Sequence, residues 1–161
     1  MTPASLILAL KKETETATQN YKMHTENQAD KKVSVYAQHI PNDDFENDTF
    51  YPLILVSVQS GEDNQNAANI AELSTVTVGL TFGVFGEDRD AWMDLLNLME
   101  CVRQHLLKRR TINKHHRLVL PTKWETIEVQ PYPFWFGYGT LKYTVAQPQE
   151  ESDIEMGITK I

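Results

Sequence analysis

Thr75-Val76-Thr77-Val78-Gly79-Leu80-Thr81-Phe82 is the heart of the longest β-type stretch in the chain, which runs from Leu73 to Phe85 and is stopped by Gly86. A helix is predicted directly after it. From Glu87 to Arg110, the residues Trp92, Leu95, Leu96, Met99, Val102 and Leu106 recur at helical spacing and make one wide apolar face. Glu87, Asp88, Asp90 and Asp94 stand at its start, and Lys108, Arg109 and Arg110 at its end. Each group has the sign that the helix dipole favours. A long strand followed by a long amphipathic helix calls for a domain in which helices cover a sheet.

Upstream, Thr2-Pro3 reads as an N-cap followed by proline in the first turn. A helix from about Pro3 to Thr18 carries Leu6, Ile7 and Leu10 as its apolar stripe. Lys32 to Ile40 alternates, with Val33, Val35 and Ala37 on one face, and reads as a strand. Pro41-Asn42-Asp43-Asp44 is a turn, and Phe50 to Val58 a central strand with Pro52 near its start. Gly61 to Asn69 reads as a loop. Downstream, Leu118 to Leu120, Trp124 to Val129 and Phe134 to Ala146 read as strands, broken by Pro121, Pro131 and Pro133. The expected fold is α+β, with a mixed or antiparallel sheet of about five strands and two main helices in the order α-β-β-β-α-β-β. Residues 1–147 form one domain in this reading, and 148–161 an acidic tail, Glu150-Glu151-Ser152-Asp153, that frays.

Bulk composition narrows the function. A net charge of -7 argues against a protein that grips nucleic acid, which needs clustered Lys and Arg. Cys101 is the single cysteine, so no internal disulfide can form, in keeping with a reducing compartment. No apolar run approaches a membrane span, and the Leu6–Leu10 run is short with no basic residue before it, so neither a membrane anchor nor a signal peptide is expected.

Motifs for chemistry are not found. His105, His115 and His116 lack a converging third or fourth ligand, and His115 and His116, being adjacent, point apart, so all three read as solvated surface. Glu62-Asp63-Asn64 lacks the spacing of a calcium loop, and Gly79, Gly83 and Gly86 lack that of a phosphate cradle. Cys101 reads as packing, and the acids from Glu87 to Asp94 as dipole complements. No catalytic residue, cofactor or metal is assigned.

Two distributions carry more. Between Cys101 and Trp124 lie Arg103, Lys108, Arg109, Arg110, Lys114, Arg117 and Lys123, with no acid among them. Residues 1–100 hold 16 acids against 6 bases. The basic stretch is a helix end with a solvated loop, a contact with an acidic region of a neighbouring copy, or, ranked lowest, a patch that touches DNA. The second is Tyr132-Pro133-Phe134-Trp135-Phe136-Gly137-Tyr138, in which Phe134, Phe136 and Tyr138 face one way and Trp135 the other. Such a strand is either sandwiched in the core or meets a partner on one face. The residues offered for a subunit interface are Arg109, Arg110, Lys114, Arg117, Trp124, Tyr132 and Trp135.

The chain resembles the tail-terminator, or tail-completion, proteins of long-tailed bacteriophages and prophages. The resemblance is carried by Tyr51-Pro52, Gly61-Glu62-Asp63, Val84-Phe85-Gly86-Glu87-Asp88, Trp92 with Leu95-Leu96-Asn97-Leu98-Met99, Pro121-Thr122-Lys123-Trp124, and Tyr132-Pro133-Phe134-Trp135-Phe136-Gly137 leading to Leu141-Lys142-Tyr143. It spans about Phe50 to Val145. It implies a virion structural protein without enzymatic activity, made in the host bacterial cytoplasm and built into the tail or neck. Its partners would be further copies of itself in a ring, commonly a hexamer, then the tail-tube protein and the head-tail connector. DNA would pass through the ring without specific binding. A head-completion or neck adaptor protein is the nearest alternative. A small metal-dependent enzyme using His115 or His116 is a third.

Overall fold

Thr2 and Ser5 open the first helix by exchanging hydrogen bonds. The Ser5 amide donates to Thr2 Oγ1 at 3.1 Å and the Thr2 amide to Ser5 Oγ at 2.8 Å. Two otherwise orphaned donors are satisfied in this way. The helix, α1, spans Pro3–Thr18 as the sequence predicts, and buries Leu6, Ile7 and Leu10. The computed structural model describes residues 2–25, 28–65, 74–148 and 151. Expectations for 66–69 of the predicted loop and for 149–161 lie outside the described residues, Glu151 apart.

The fold is α+β: one mixed sheet of six strands with two main helices. The strands are β1 (Ser34–Ala37), β2 (Leu53–Glu62), β3 (Ser74–Phe85), β4 (Thr111–Ile112), β5 (His116–Thr126) and β6 (Phe134–Val145), and the second helix, α2, is Ala91–Lys108. The strand order is β1-β2-β3-β6-β5-β4. Among the described strands, only β1 and β2 are parallel. The register of the central pair runs from Ser74 opposite Val145 to Phe85 opposite Phe134 without a shift.

Alternation along β3 and β6 sorts the two faces of the sheet. Val76, Val78, Leu80, Phe82 and Val84 on β3, with Leu141, Tyr143 and Val145 on β6, are buried under α1 and α2. The other face carries Thr75, Thr77 and Thr81 on β3 with Tyr138, Thr140, Lys142 and Thr144 on β6, all half-buried. One end of that face is covered by the segment between β1 and β2, which contains two 3-10 turns, Pro41–Asp43 and Asp48–Phe50. Ile40, Tyr51 and Leu53 form a second small core there, against Phe85, Phe134 and Phe136. Gly83 makes room for it, since a Cβ there would press on the Tyr51 ring. Among the described residues, no helix is long and apolar enough to cross a membrane.

Several boundaries differ from the sequence reading. β1 is shorter than Lys32–Ile40, because Gln38 turns to a φ of 70° and leaves the extended region. Gly61 and Glu62 extend β2, opposite Val76 and Thr75, instead of opening a loop. α2 begins at Ala91, so Glu87 and Asp88 lie before it and Asp90 takes the N-cap position. Pro121 does not break the third sheet segment in two. β5 runs through it, with a bulge between Val119 and Lys123 that takes up the missing amide. The sixth strand, β4, is a two-residue partner at the start of β5.

Candidate subunit interface

The hairpin from β4 to β5 sets the basic corner. Asn113 and Lys114 both have positive φ, 49° and 61°, and the His115 amide donates to the Ile112 carbonyl at 3.2 Å. Positive φ at both central residues is the geometry of a primed hairpin turn. The turn exposes Lys114 and His115 and returns His116 to the core, where it is fully buried. Its Nδ1 is 3.0 Å from the Thr144 carbonyl and its Nε2 is 3.5 Å from Ser5 Oγ. The reading of all three histidines as solvated therefore holds for His115 alone. His105 Nε2 lies 2.7 Å from Glu13 Oε2, a carboxylate on α1 that also meets Arg109 at 3.2 Å. Among the described residues, no group of three or more His, Cys, Asp and Glu is placed to hold a metal ion.

Arg109, Arg110, Lys114 and Arg117 are thus brought together at one corner, where β4 and β5 meet the Tyr143 end of β6. All four are exposed. Arg109 is held by Glu13, Arg110 donates to the Leu107 carbonyl, and Arg117 donates to Thr111 Oγ1 at 3.2 Å. Described acids share that end of the sheet: Glu13 on α1, and Glu62 and Asp63 at the end of β2.

The aromatic residues are elsewhere. Trp124 packs on Phe82 with ring centroids 6.0 Å apart and covers Gly139, where a Cβ would meet its ring at 2.8 Å. Trp135 is half-buried and donates Nε1–H to the Gly86 carbonyl at 3.0 Å. Tyr132 is exposed, donates to the Glu87 carbonyl at 2.6 Å, and lies under the Arg89 guanidinium at 4.9 Å. Phe134 and Phe136 face Tyr51 at 5.0 and 6.0 Å. Both faces of the aromatic strand therefore find partners inside the domain. The seven residues fall into a basic corner, Trp124 on β5, and the Tyr132 and Trp135 pair at the other end of β6.

That other end is acidic. Phe45 packs on Phe136, and the segment around it places Asp43, Asp44, Glu46 and Asp48 over the Phe134 end of β6. Glu87, Asp88 and Asp90 join them from the β3–α2 connection, with Arg89 as a cation among them. The acidic and basic groups are separated by the length of β6, about 36 Å at a strand rise of about 3.3 Å.

Asp94 has a different task from the one the sequence suggests. It is 2 % exposed and accepts hydrogen bonds from the His24 amide at 2.9 Å, the Thr25 amide at 2.7 Å and the Thr25 hydroxyl. It ties the segment after α1 to the start of α2 and is not a solvated complement to the dipole. Cys101 donates to the Ala17 carbonyl at 3.1 Å, and burial pushes its thiol above the ordinary range.

The sequence reading also missed an exposed apolar stripe. Trp92, Met93 and Leu96 are 45, 43 and 44 % exposed, although Trp92 and Leu96 were expected in the buried face. At about 100° per residue, Leu95, Leu98, Val102 and Leu106 centre the buried arc, and Trp92, Leu96 and Arg103 fall on its edge. That arc arithmetic was available from the sequence. Leu96 of this stripe borders a groove of about 350 Å³ between α2 and β5, lined also by Met99, Arg103, Trp124, Glu125 and Thr126. A larger groove of about 840 Å³ runs beside α1, between Leu8, Lys12 and Glu13 and the Arg109–Lys114 corner. No protein-family model matches the chain, and no curated protein matches it.

Proposed function

We propose that this protein is a structural subunit that contacts further copies of itself head to tail and closes into a ring, as the tail-terminator proteins it resembles do. The ring would cap a tail tube, end its polymerisation and offer the surface on which a head docks. The observation that supports this reading is an uneven distribution of charge: a cluster of acids over one end of β6, and Arg110, Lys114 and Arg117 at the other, where Glu13, Glu62 and Asp63 are also present. A surface whose complement lies at the opposite end of the same molecule pairs heterologously, and heterologous contacts generate rings when the rotation closes. The strain at Lys114 points the same way, because a lysine at a φ of 61° occupies a position that glycine fits better.

Sedimentation of the full chain with Arg110→Glu and Lys114→Glu tests the contact. Arg109 is left alone because Glu13 holds it within the subunit. Charge reversal at a contact rim slows association by about tenfold or more at low salt. Unchanged assembly would remove the basic corner from the interface. Negative-stain images of the protein mixed with tail tubes then test the place of the ring. Rings on tube ends support the terminator role, and binding to the head connector in their place supports a neck adaptor.

A further inference from the structure

Among the described residues, the outer edge of β5 is open beyond its pairing with β4. β4 pairs only with His116 and Arg117, and the Leu118 amide donates to Arg110. From Val119 to Thr126, no strand among the described residues lies on that side. The bulge at Pro121 blunts the first part of this edge, as edges in soluble proteins often are. The second part is regular, with Lys123 to Thr126 in unbroken register with Thr140 to Gly137. Beneath it lies the groove of Leu96, Met99 and Trp124. A strand added to this edge would drop every second side chain into that groove.

The sequence contains a segment of that pattern. Ile154, Met156 and Ile158 recur at every second position after Pro148, and Asp153, Glu155 and Gly157 lie among and before them. Arg103 lines the groove, Lys123 lies on the opposite face of β5, across from Thr140, where the acids alternating with Ile154 and Met156 would fall, and Arg117 stands at the start of β5. Two carboxylates face them already, Glu100 at 2.9 Å from Arg103 and Glu125 at 3.6 Å from Lys123, both on the exposed rim where pairs exchange readily.

We propose that the segment around Ile154–Ile158 of one copy adds as a strand to the free edge of β5 in a neighbouring copy, with Ile154, Met156 and Ile158 seated in the groove of Leu96, Met99 and Trp124. The neighbour is favoured over the same chain because of where β6 ends. Val145 lies at the β4 end of the sheet, and the β4 hairpin stands between that point and the free part of the edge. The proposal rests on the assembly reading above and gives that assembly a definite joint.

Cross-linking of full-length chains tests it. With Cys101→Ser as background, which keeps the donor to Ala17, one chain carries Met156→Cys and a second carries Thr126→Cys. Oxidation of the mixture is expected to give a disulfide between unlike chains, and a doubly substituted chain to give a ladder of oligomers. Adding Ile154→Asp and Ile158→Asp should lower the cross-linked yield by about tenfold or more. Closure only within single chains would overturn the exchange in favour of a tail that covers its own edge. No disulfide in either format would overturn the docking altogether. The two readings fail separately: rings that persist with both aspartates sink the joint and keep the ring, and cross-links without rings do the reverse.

Discussion

Asp94 is the residue on which two distant segments depend. Its carboxylate, itself buried, accepts from three donors of His24 and Thr25. Asp94→Ala leaves the buried Thr25 amide and hydroxyl and the part-buried His24 amide without their acceptor, so a loss of about 3 kcal/mol is expected. A lowered urea midpoint at constant slope would show it, and a change under about 0.5 kcal/mol would refute it. Three tyrosines set the alkaline limit. Burial, then the charges of Asp94, Asp44 and Glu13 respectively, pushes Tyr21, Tyr51 and Tyr143 above the ordinary value of 10.0. The folded state then holds protons that the unfolded chain gives up. The stability these groups confer is present below about pH 10 and is lost as the pH rises beyond it. Urea midpoints between about pH 9 and about pH 11 should fall. Among the described residues the fully buried Tyr143 hydroxyl has no hydrogen-bond partner, so Tyr143→Phe should be neutral or stabilising near pH 7 and should reduce the alkaline loss.

At the scale of elements, legibility followed how local the cause is. α1 was readable in full, because its cap, its first-turn proline and its stripe all lie within a few residues. The interior of α2 was readable too, but not its start, where the Asp88 turn precedes the helix. β4 was not, since its hairpin uses Asn113-Lys114 where the common signal is Asn-Gly. That departure yields a prediction. Lys114→Gly relieves a left-handed residue and should stabilise the chain by about 1 kcal/mol in urea titration, while weakening assembly if the corner is a contact. A destabilised variant would contradict the turn geometry. β5 was misread at Pro121 because a bulge depends on the partner strand, which the sequence of β5 alone does not contain. The exposed stripe of Trp92 and Leu96 was misplaced for a related reason. The sequence gives the width of an apolar arc, and the neighbours decide how much of it is covered.

At the scale of the molecule, charge has a direction. The run from Arg103 to Lys123 was visible in the sequence, and the acids were visible too, but their separation along β6 arises from the sheet order. Phe45 and Tyr51 carry the acidic segment across the sheet to the Phe134 end, a placement that no local pattern encodes. An assembly held by such ends should be sensitive to salt. Screening lengths fall to about 10 Å at 0.1 M and about 3 Å at 1 M, so the sedimentation coefficient of the assembled form should drop across that range. If it does not, the apolar groove beside β5 carries the association and charge only guides it.

The two ends also differ in how firmly they are tied. At the acidic end, the Gly86 amide, the Gly86 carbonyl and the Glu87 carbonyl are bonded to Pro133, Trp135 and Tyr132, and Asp94 fastens the next turn. At the basic end, a two-residue strand holds the corner, while a pair of left-handed residues is common to both ends, Asn113 and Lys114 here and Asn42 and Asp43 at the acidic rim. The molecule is in this sense a lever with one clamped arm. In the proposed assembly, adjustment of fit would fall to the basic corner, and the acidic rim would act as the fixed die against which it is shaped. Amide exchange should read this asymmetry directly, slow at Gly86 and fast from Asn113 to His115.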